Sequence, residues 1–258
     1  MDKKTVACVT DTKYLKYSIP FLESLYATNP DLPVHMKLID GRPGDYNDCF
    51  NANPNAVIIP TDVRKSRAPK YPAYPKEYQT YKYTNSNEAK EFYSRPGPNN
   101  IMERVRLYSD LSLYCIYAKY VNARALQNVY DKVLILDVDA LVKKDLTPIF
   151  DILDECDIAS KQENLSVFEH TIFNEGVAGF KTNNKTKQFL SELTDFYYEH
   201  GIHNHNFQSD QLFFRKEYYE KNIGINFYNL PNKYKDETFQ EDSYIWSGCG
   251  DRKRALPI

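Results

Sequence analysis

Two carboxylates one residue apart, Asp137 and Asp139, are the clearest candidates for chemistry in this sequence of 258 residues. Carboxylates are hard oxygen ligands of the kind that Mg²⁺ and Mn²⁺ take in proteins. Such an ion usually keeps some of its waters and also binds substrate phosphates. The alternative is structural: one Asp caps the next turn and the other is solvated. Asp-x-Asp is too short a pattern to decide between the two interpretations by itself.

The run that contains this pair, residues 133–142, predicts a buried strand. A continuous series of Val, Leu and Ile is typical of a central strand that is covered on both faces. Because Asp is unfavourable inside strands, the two carboxylates indicate that the strand ends at a cleft. Open α/β sheets bind their ligands beyond the carboxyl ends of their strands. The sequence therefore predicts a ligand site at this end of a central strand.

The N-terminal part of the chain alternates strands with a helix. Thr5–Thr10 predicts a strand, Leu15–Ala27 carries apolar residues at helical spacing, and Val34–Ile39 and Ala56–Ile59 predict two further strands. This alternation favours an α/β fold with a mixed, mostly parallel central sheet.

A short polar segment, Asp11-Thr12-Lys13-Tyr14, follows the first strand at its carboxyl end. Asp commonly caps the helix that begins after such a segment, and this is the structural interpretation of Asp11. The functional interpretation is that Asp11 and Tyr14 hold a nucleotide base where the first strand ends.

The middle of the chain differs in character from the rest. Residues 61–100 are rich in Tyr, Pro and Lys and lack periodicity, which predicts an irregular insertion within one domain of residues 1–258. A long helix is expected from Ile101 to about Leu126. Arg106 lies in its first turns, where the helix dipole disfavours a cation, so a phosphate or carboxylate partner would explain it.

Three further candidates lie in the second half of the chain. Glu175 lies in a predicted strand, Phe173–Phe180, whose glycines indicate a close approach of backbone. The pair Asp210-Gln211 opens a predicted helix that ends near Tyr219. The last segment combines glycines with Arg and Lys, including Lys253, and such a loop suits the binding of phosphates.

The composition excludes several classes of protein. A net charge of −2 with 26% charged residues gives no nucleic-acid footprint. The five cysteines are scattered without metal spacing, which favours reduced thiols over a disulfide framework. The N-terminus has no signal-peptide core, and no apolar run approaches the ~20 residues of a membrane span. These features predict a cytoplasmic protein without a transmembrane segment.

Five segments, taken in order, resemble a known family. The segment Tyr130–Ile152 with its Asp-x-Asp is similar to the metal-binding core of GT-A fold glycosyltransferases, and most similar to family 8. That family holds retaining enzymes such as bacterial lipopolysaccharide galactosyltransferases and glycogenin. The other four matching segments are Asp11–Tyr14, Arg106-Leu107, Phe173–Val177 and Asp210-Gln211. The resemblance covers most of the chain except residues 61–100.

The resemblance implies a Rossmann-like GT-A domain that transfers a sugar from a nucleotide diphosphate, with UDP favoured, to a glycan or other hydroxyl acceptor. It implies Mn²⁺ or Mg²⁺ on Asp137 and Asp139 and retention of anomeric configuration. The implied donor contacts are Asp11, Tyr14, Arg106, Asp137 and Lys253. Asp210 and Gln211 would then lie beside the transferred sugar.

One position departs from the family pattern. Members usually carry a third metal ligand in a His-x-x-Gly-x-x-Lys run, whereas this sequence has Ser247 followed by Gly250 and Lys253. The third metal contact is therefore open, and a catalytically inactive sugar-nucleotide-binding protein remains an alternative. A second alternative is an inverting transferase in which Glu175 is the general base.

A phosphatase of the haloacid dehalogenase type is disfavoured. Its Asp-x-Asp normally opens the first strand and continues with Thr or Val two residues later. Here the motif lies in the middle of the chain, and Leu141 follows it.

Overall fold

A computed structural model describes residues 2–61, 110–165, 170–196 and 220–247. Within these ranges lie five helices: α1 (Leu15–Thr28), α2 (Pro43–Ala52), α3 (Asp110–Leu126), α4 (Thr147–Glu155) and α5 (Asn184–Phe196). The strands of the first half are β1 (Lys4–Asp11), β2 (Val34–Ile39), β3 (Ala56–Thr61), β4 (Lys132–Leu136) and β5 (Ala140–Val142). Those of the second half are β6 (Ile158–Leu165), β7 (His170–Lys181), β8 (Phe227–Asn229) and β9 (Ile245–Ser247), and a 3₁₀ turn spans Asn232–Tyr234.

Seven of these strands form one sheet in the order β3-β2-β1-β4-β7-β6-β8. All neighbouring pairs are parallel except the two that involve β7, which runs antiparallel to both β4 and β6. The prediction of an α/β fold with a mixed, mostly parallel sheet is confirmed. Because β1, β2, β4 and β6 run in one direction, their carboxyl ends meet at a single edge of the sheet.

Helices cover both faces of the sheet. Side chains alternate between the two faces along each strand, so each central strand contributes to a core on either side. Along β1, Val6 and Cys8 belong to a core that also holds side chains of α1, α2 and α4. Ala7 faces the other way and packs with residues of α3 and α5, among them Tyr120 and Phe189. A sheet covered on both faces explains why its central strands carry nearly continuous apolar runs.

The apolar run of residues 133–142 is divided between two strands, and the prediction of one continuous strand is wrong. The Ala140 N–H donates to the Asp137 carbonyl at 3.2 Å, so the chain turns directly after β4. The next residues form β5, which leaves the large sheet and pairs with β9. The run stays apolar because Val138, Ala140 and Val142 are all buried in the same core as Leu136.

Several of the observed elements were not predicted, among them β8 and β9. Helix α2 was not predicted, although Pro43 at its first position and the Arg42 N–H bonded to Asp45 at 2.7 Å form a regular start. β6 is longer than the short strand predicted at Ile158. The close approach predicted for the glycines is found at Gly179, where an added Cβ would lie 3.1 Å from the Leu153 side chain of α4.

Several predictions fall outside the described residues. These are the insertion at residues 62–100, the start of the helix expected from Ile101, and the helix from Asp210 to Tyr219. The described part of the long helix ends at Leu126, as predicted. Cys8, Cys49, Cys115 and Cys156 are free thiols, in agreement with the prediction for those four. Of the described helices, none combines the length and the apolar character that crossing a membrane requires.

A buried carboxylate, Asp157, joins the starts of three elements. It accepts hydrogen bonds from the Asn226 N–H before β8 at 2.8 Å and from the Asn183 side chain before α5 at 2.7 Å, and Lys185 lies 3.4 Å away. Burial raises the pKa of the Asp157 carboxyl, but these hydrogen bonds and the Lys185 charge outweigh it and hold the pKa below its usual range.

We expect Asp157→Asn to lower the free energy of unfolding at pH 7 by about 1–3 kcal/mol, because charge-assisted hydrogen bonds are lost. A depressed pKa stabilises the fold above the ordinary carboxyl pKa, and this contribution disappears as the pH falls through the folded pKa. The difference between wild type and variant should therefore shrink below about pH 4. Urea unfolding across this range measures it, with the exposed Asp151→Asn as control. Equal urea midpoints for wild type and Asp157→Asn at pH 7 would contradict this role.

Candidate active site

The turn after β4 presents the two carboxylates predicted to bind metal. The Asp137 N–H donates to the Gly176 carbonyl of β7 at 3.1 Å, which fixes the turn against the neighbouring strand. Val138 is buried in the core, whereas Asp137 and Asp139 on either side of it are only partly buried. The pair therefore lies at the edge of the sheet where the parallel strands end, in the position that the sequence predicts.

A lysine that sequence reasoning missed lies against the first carboxylate. The Lys119 ammonium of α3 is 2.9 Å from Asp137 Oδ1, and the side chains are 10% and 35% exposed respectively. A buried ammonium needs a partner, because desolvation disfavours its charge. A signal was present in the sequence: Lys119 follows Cys115 by four residues and so shares the helix face that packs on the sheet. Lys119 is a fixed positive charge in the candidate site.

The loop after β1 lies at the same edge of the sheet. The Asp11 carboxylate accepts from the N–H groups of Lys13 at 2.9 Å and Tyr14 at 3.0 Å, so it holds the turn that leads into α1. This is the structural role considered for Asp11, although the turn rather than the helix N-cap is what it stabilises. Tyr14 is 42% exposed, and the centre of its ring lies 5.7 Å from that of the Tyr17 ring. A base contact of Asp11 and Tyr14 stays a prediction.

The thiol of Cys115 links these two parts of the edge. Burial, together with the smaller effects of the Asp11 and Asp40 carboxylates, raises its pKa to about 12, and the Lys119 ammonium partly opposes this rise. The loop after β1, the end of β2 and helix α3 therefore all lie close to the Cys115 side chain. A thiol with this pKa stays protonated at neutral pH, so Cys115 is no candidate for a nucleophile.

Glu175 lies in an irregular part of β7. The pairing with β6 moves from Ser160↔Ala178 to Lys161↔Asn174, which leaves three residues of β7 without a partner on β6. These residues are Glu175, Gly176 and Val177, and only the backbone of Glu175 is described. Val177 pairs with Leu136 of β4, directly before Asp137. Bulges of this kind are common beside active sites because they redirect side chains, and this one brings the Glu175 backbone next to the carboxylate turn.

Ser247 lies directly beside the same turn. It is the last residue of β9 and pairs with Ala140, the residue after Asp139, and it is 4% exposed. The sequence position where the family carries its third metal ligand therefore does lie at the carboxylates. Within the described ranges, no three His, Cys, Asp or Glu side chains cluster as a metal site would require. Carboxylate and hydroxyl oxygens, the groups that Asp137, Asp139 and Ser247 carry, are of the kind that Mg²⁺ and Mn²⁺ take as ligands.

A polar cleft of about 500 Å³ lies on the far side of β9 from β5. Asp236 lines it and exchanges hydrogen bonds with β9: its N–H donates to the Ile245 carbonyl at 2.9 Å, and the Ser247 N–H donates to its carbonyl at 2.8 Å. Two chain-to-chain spacings, roughly 10 Å in total, thus separate Asp236 from Ala140. The other lining residues carry amide, hydroxyl, ammonium or carboxylate groups, namely Asn232, Thr238, Gln240, Lys161, Lys233, Lys235, Glu237 and Asp242.

Four of the predicted site residues lie outside the described residues. They are Arg106, Asp210, Gln211 and Lys253. Their roles stay predictions.

Comparisons with known proteins agree with this architecture. The profile described as Glycosyl transferase family 8 matches residues 5–247, which is most of the chain. No curated protein matches the chain by sequence. Among solved structures, the galactosyltransferase LgtC in complex with donor and acceptor sugar analogs is similar with a TM-score of 0.55 at 15% identity, over 96% of this chain and 87% of that chain.

Two eukaryotic structures are similar to a comparable degree. Mouse xyloside xylosyltransferase 1 gives a TM-score of 0.52 at 11% identity, over 96% of this chain and 98% of that chain. Core-mannan synthase A from Aspergillus fumigatus, in its Mn/GDP form, gives a TM-score of 0.52 at 9% identity, over 82% of this chain and 68% of that chain. At these identities the likeness concerns the fold, and it confirms the predicted GT-A glycosyltransferase architecture.

Proposed function

We propose a metal-assisted sugar transfer from a nucleotide diphosphate for this chain, on the premise that it belongs to glycosyl transferase family 8 and is a glycosyltransferase. One observation carries the proposal. The turn with Asp137 and Asp139 lies at the carboxyl edge of the sheet, where open α/β sheets bind ligands, and is tied to the Gly176 carbonyl. The buried ammonium of Lys119 beside it adds the positive charge that a phosphate requires.

The divalent ion would be held by Asp137 and Asp139, and Ser247, which pairs with the residue after Asp139, would be the next candidate ligand. Mn²⁺ and Mg²⁺ fit this oxygen set, and a similar structure, the core-mannan synthase, is in a Mn/GDP form. When bound, such an ion neutralises the negative charge that develops on the leaving diphosphate and orients it.

The protein's own groups would bind and orient the donor. Lys119 would place its ammonium at the phosphate oxygens, in a half-buried site where a fixed charge acts strongly. Arg106 and Lys253 would add positive charge from elsewhere in the chain. Tyr14, exposed at the end of β1, would stack on the base, with UDP as the expected nucleotide. The Asp11 carboxylate would hold the loop in shape through its two backbone hydrogen bonds.

The acceptor would bind in the polar cleft beyond β9. Its walls carry Asn232, Thr238 and Gln240, side chains that exchange hydrogen bonds with sugar hydroxyls. The carboxylate of Asp236 is held in place: burial raises its pKa, but hydrogen bonds from Thr238 and Gln240 outweigh this and keep the pKa below its usual range. The cleft is near the carboxylate turn, because Asp236 in its wall lies two chain-to-chain spacings, roughly 10 Å, from Ala140 directly after Asp139.

A catalytically inactive sugar-nucleotide binder is the second candidate function. Ser247 favours it, because a buried hydroxyl replaces the imidazole that family members use as a ligand. The two candidate functions differ only in turnover. Both the transferase and the inactive binder would bind a nucleotide sugar, but only the transferase would release the nucleoside diphosphate.

A screen of nucleotide sugars tests the proposal. We expect Mn²⁺-dependent release of UDP from at least one UDP-sugar, by hydrolysis or by transfer to a glycan acceptor. Removal of divalent ions with a chelator should abolish the release, and added Mn²⁺ should restore it. Calorimetry with the same donors detects an inactive binder, which would give heat of binding without UDP release. Equal affinity for guanosine, cytidine and uridine diphosphates would contradict the assignment of the base.

A further inference from the structure

We infer that Phe239 is an acceptor-binding residue of this chain, and that its ring stacks on a pyranose ring of the glycan at the rim of the polar cleft. The inference rests on the proposed function, because it names the group that the acceptor site recognises. Phe239 lies between Thr238 and Gln240, two residues of the cleft wall. It contacts the acceptor and not the donor, so its role is in binding rather than in the chemical step.

The first observation concerns the backbone of Phe239. Its φ is 63°, in the left-handed region that a bulky residue rarely adopts, and among the described residues other than glycine only Asp40 shares this region. The loop holds Phe239 there, because the Asp236 carboxylate accepts from the Thr238 N–H at 2.8 Å, from the Thr238 hydroxyl at 2.7 Å and from the Gln240 N–H. Strained residues that are fixed by their surroundings in this way cluster at ligand-binding sites.

The second observation is the exposure of an apolar ring. Phe239 is 45% exposed, although its side chain has no polar group. The centre of its ring lies 5.4 Å from that of the Trp246 ring, and the Lys143 ammonium lies over the ring at 4.3 Å from its centre. Lys143 is itself held, since its ammonium donates to the Ser243 hydroxyl at 3.0 Å and to the Gln240 carbonyl. A ring fixed in advance at the surface loses little conformational entropy when a ligand packs on it.

Single exposed apolar side chains are common on protein surfaces, so the position of the ring matters as well. Ala140 and Val142 of β5 are buried in the core, and alternation along the chain therefore places Lys143 on the outer face. The ring of Phe239 lies against the Lys143 ammonium and so packs on this outer face. Strand β5 begins directly after Asp139, and the chain advances roughly 10 Å from Ala140 to Lys143. A glycan on Phe239 extends along β5 toward the carboxylate turn.

A pyranose ring matches both kinds of surface that meet here. One face of a galactose or glucose ring carries C–H groups that pack against an aromatic ring, and its hydroxyls exchange hydrogen bonds with amides and hydroxyls. Phe239 provides the aromatic surface, and Asn232, Thr238 and Gln240 of the cleft wall provide the polar groups. An apolar peptide is disfavoured, because it would leave the polar wall of the cleft desolvated and without hydrogen bonds.

Trp246 is the single tryptophan of the chain, and its contact with Phe239 makes its fluorescence a reporter of this place. The test titrates the full chain with methyl β-galactoside, lactose and maltose. Acyclic mannitol is the control ligand, since it has the hydroxyls but no ring face. We expect at least one glycoside to shift the Trp246 emission with a Kd of about 1–10 mM, and mannitol to leave the emission unchanged.

Substitutions of Phe239 separate stacking from a purely structural covering of Trp246. Phe239→Leu keeps an apolar cover without the flat ring and should weaken binding of the same glycoside by about fivefold or more in calorimetry, whereas Phe239→Tyr should stay within about twofold of wild type. In the transfer assay Phe239→Leu should raise the acceptor KM with little change in kcat. Phe50→Ala is the matched control, because Phe50 of α2 is also exposed, at 54%, and it should bind as wild type.

A second pair of variants tests the backbone strain. Glycine adopts a positive φ freely, so Phe239→Gly should have a urea midpoint equal to or above that of Phe239→Ala. Both variants should bind the glycoside about tenfold more weakly than wild type, because both lack the ring. Circular dichroism checks that each variant is folded.

The inference is overturned if no glycoside shifts the Trp246 emission, or if folded Phe239→Leu and Phe239→Gly bind glycosides as tightly as wild type. Neither result concerns the release of UDP from a nucleotide sugar, which tests the proposed function separately. If no UDP-sugar is turned over, the proposed function fails, and the glycoside titration still decides whether Phe239 binds a sugar.

Discussion

Replacement of Asp139 by Ala is expected to abolish metal-dependent donor binding and to lower sugar transfer by about a thousandfold or more. Asp139 supplies one of the two carboxylates of the turn after β4. Its loss leaves only Asp137, which already contacts the Lys119 ammonium at 2.9 Å. A single shared carboxylate and a neutral hydroxyl cannot offset the dehydration of a divalent ion.

The same substitution should leave the fold intact. Asp139 is only partly buried and lies in a turn, and the backbone contact of that turn with β7 is made by Asp137 and Gly176. Asp145→Asn is the matched control: the Asp145 carboxylate accepts a hydrogen bond from the Thr147 N–H at 2.8 Å, and the Asn side-chain oxygen can accept the same bond. Calorimetry with Mn²⁺ and UDP gives the binding loss. Wild-type turnover that survived thorough chelation would contradict the role of both carboxylates.

The sequence predicts the sheet well because its strands are amphipathic or apolar in a regular way. β2 lies at Val34–Ile39, as predicted, and its burial alternates: Val34 and Met36 lie in the core, whereas His35 and Lys37 are only partly buried. The break between β4 and β5 was not predicted, because a residue looks equally apolar whether it is buried by one sheet or by two. Only the pairing of Ala140 with Ser247, more than a hundred residues away, shows where the chain leaves the large sheet.

The basic residues of the long helix show a different limit of prediction from sequence. The argument from the helix dipole pointed to Arg106, which lies outside the described residues, so its role stays a prediction. Burial is the stronger criterion, and it singles out Lys119, which packs on the sheet and reaches Asp137. The sequence shows the spacing of Lys119 from Cys115. It does not show that this face of the helix is directed at the end of β4.

Substitutions of Asp210 and Gln211 should have the second large effect on sugar transfer. Whether the anomeric configuration is retained or inverted decides which catalytic role that effect assigns to the two residues. The family resemblance implies retention, in which an α-linked donor gives an α-linked product. Asp210 and Gln211 would then stabilise an oxocarbenium-like transition state on one face of the ring. We expect Asp210→Asn and Gln211→Ala to lower kcat by about 10²- to 10⁴-fold with little change in donor KM, because the interaction is made chiefly in the transition state.

Glu175 provides the matched comparison, because it is the carboxylate that an inverting mechanism would use. Its backbone lies in the bulge of β7, next to Gly176, whose carbonyl receives the Asp137 N–H. A base in this position would deprotonate the acceptor hydroxyl, and its loss would then cost at least as much as the loss of Asp210. Under retention Glu175 only helps to place the acceptor, so Glu175→Gln should raise acceptor KM and lower kcat by less than about tenfold.

Proton NMR of the first product formed separates the two mechanisms, because α and β anomers differ in the coupling of the anomeric proton. An inverted product together with a severe loss in Glu175→Gln would make Glu175 the general base and reduce Asp210 to orienting the sugar. A retained product with the large loss in Asp210→Asn and Gln211→Ala assigns the chemistry to that pair. We expect the second result, because the motif pair Asp210-Gln211 and the carboxylate turn belong to one ordered family pattern that the match over residues 5–247 supports.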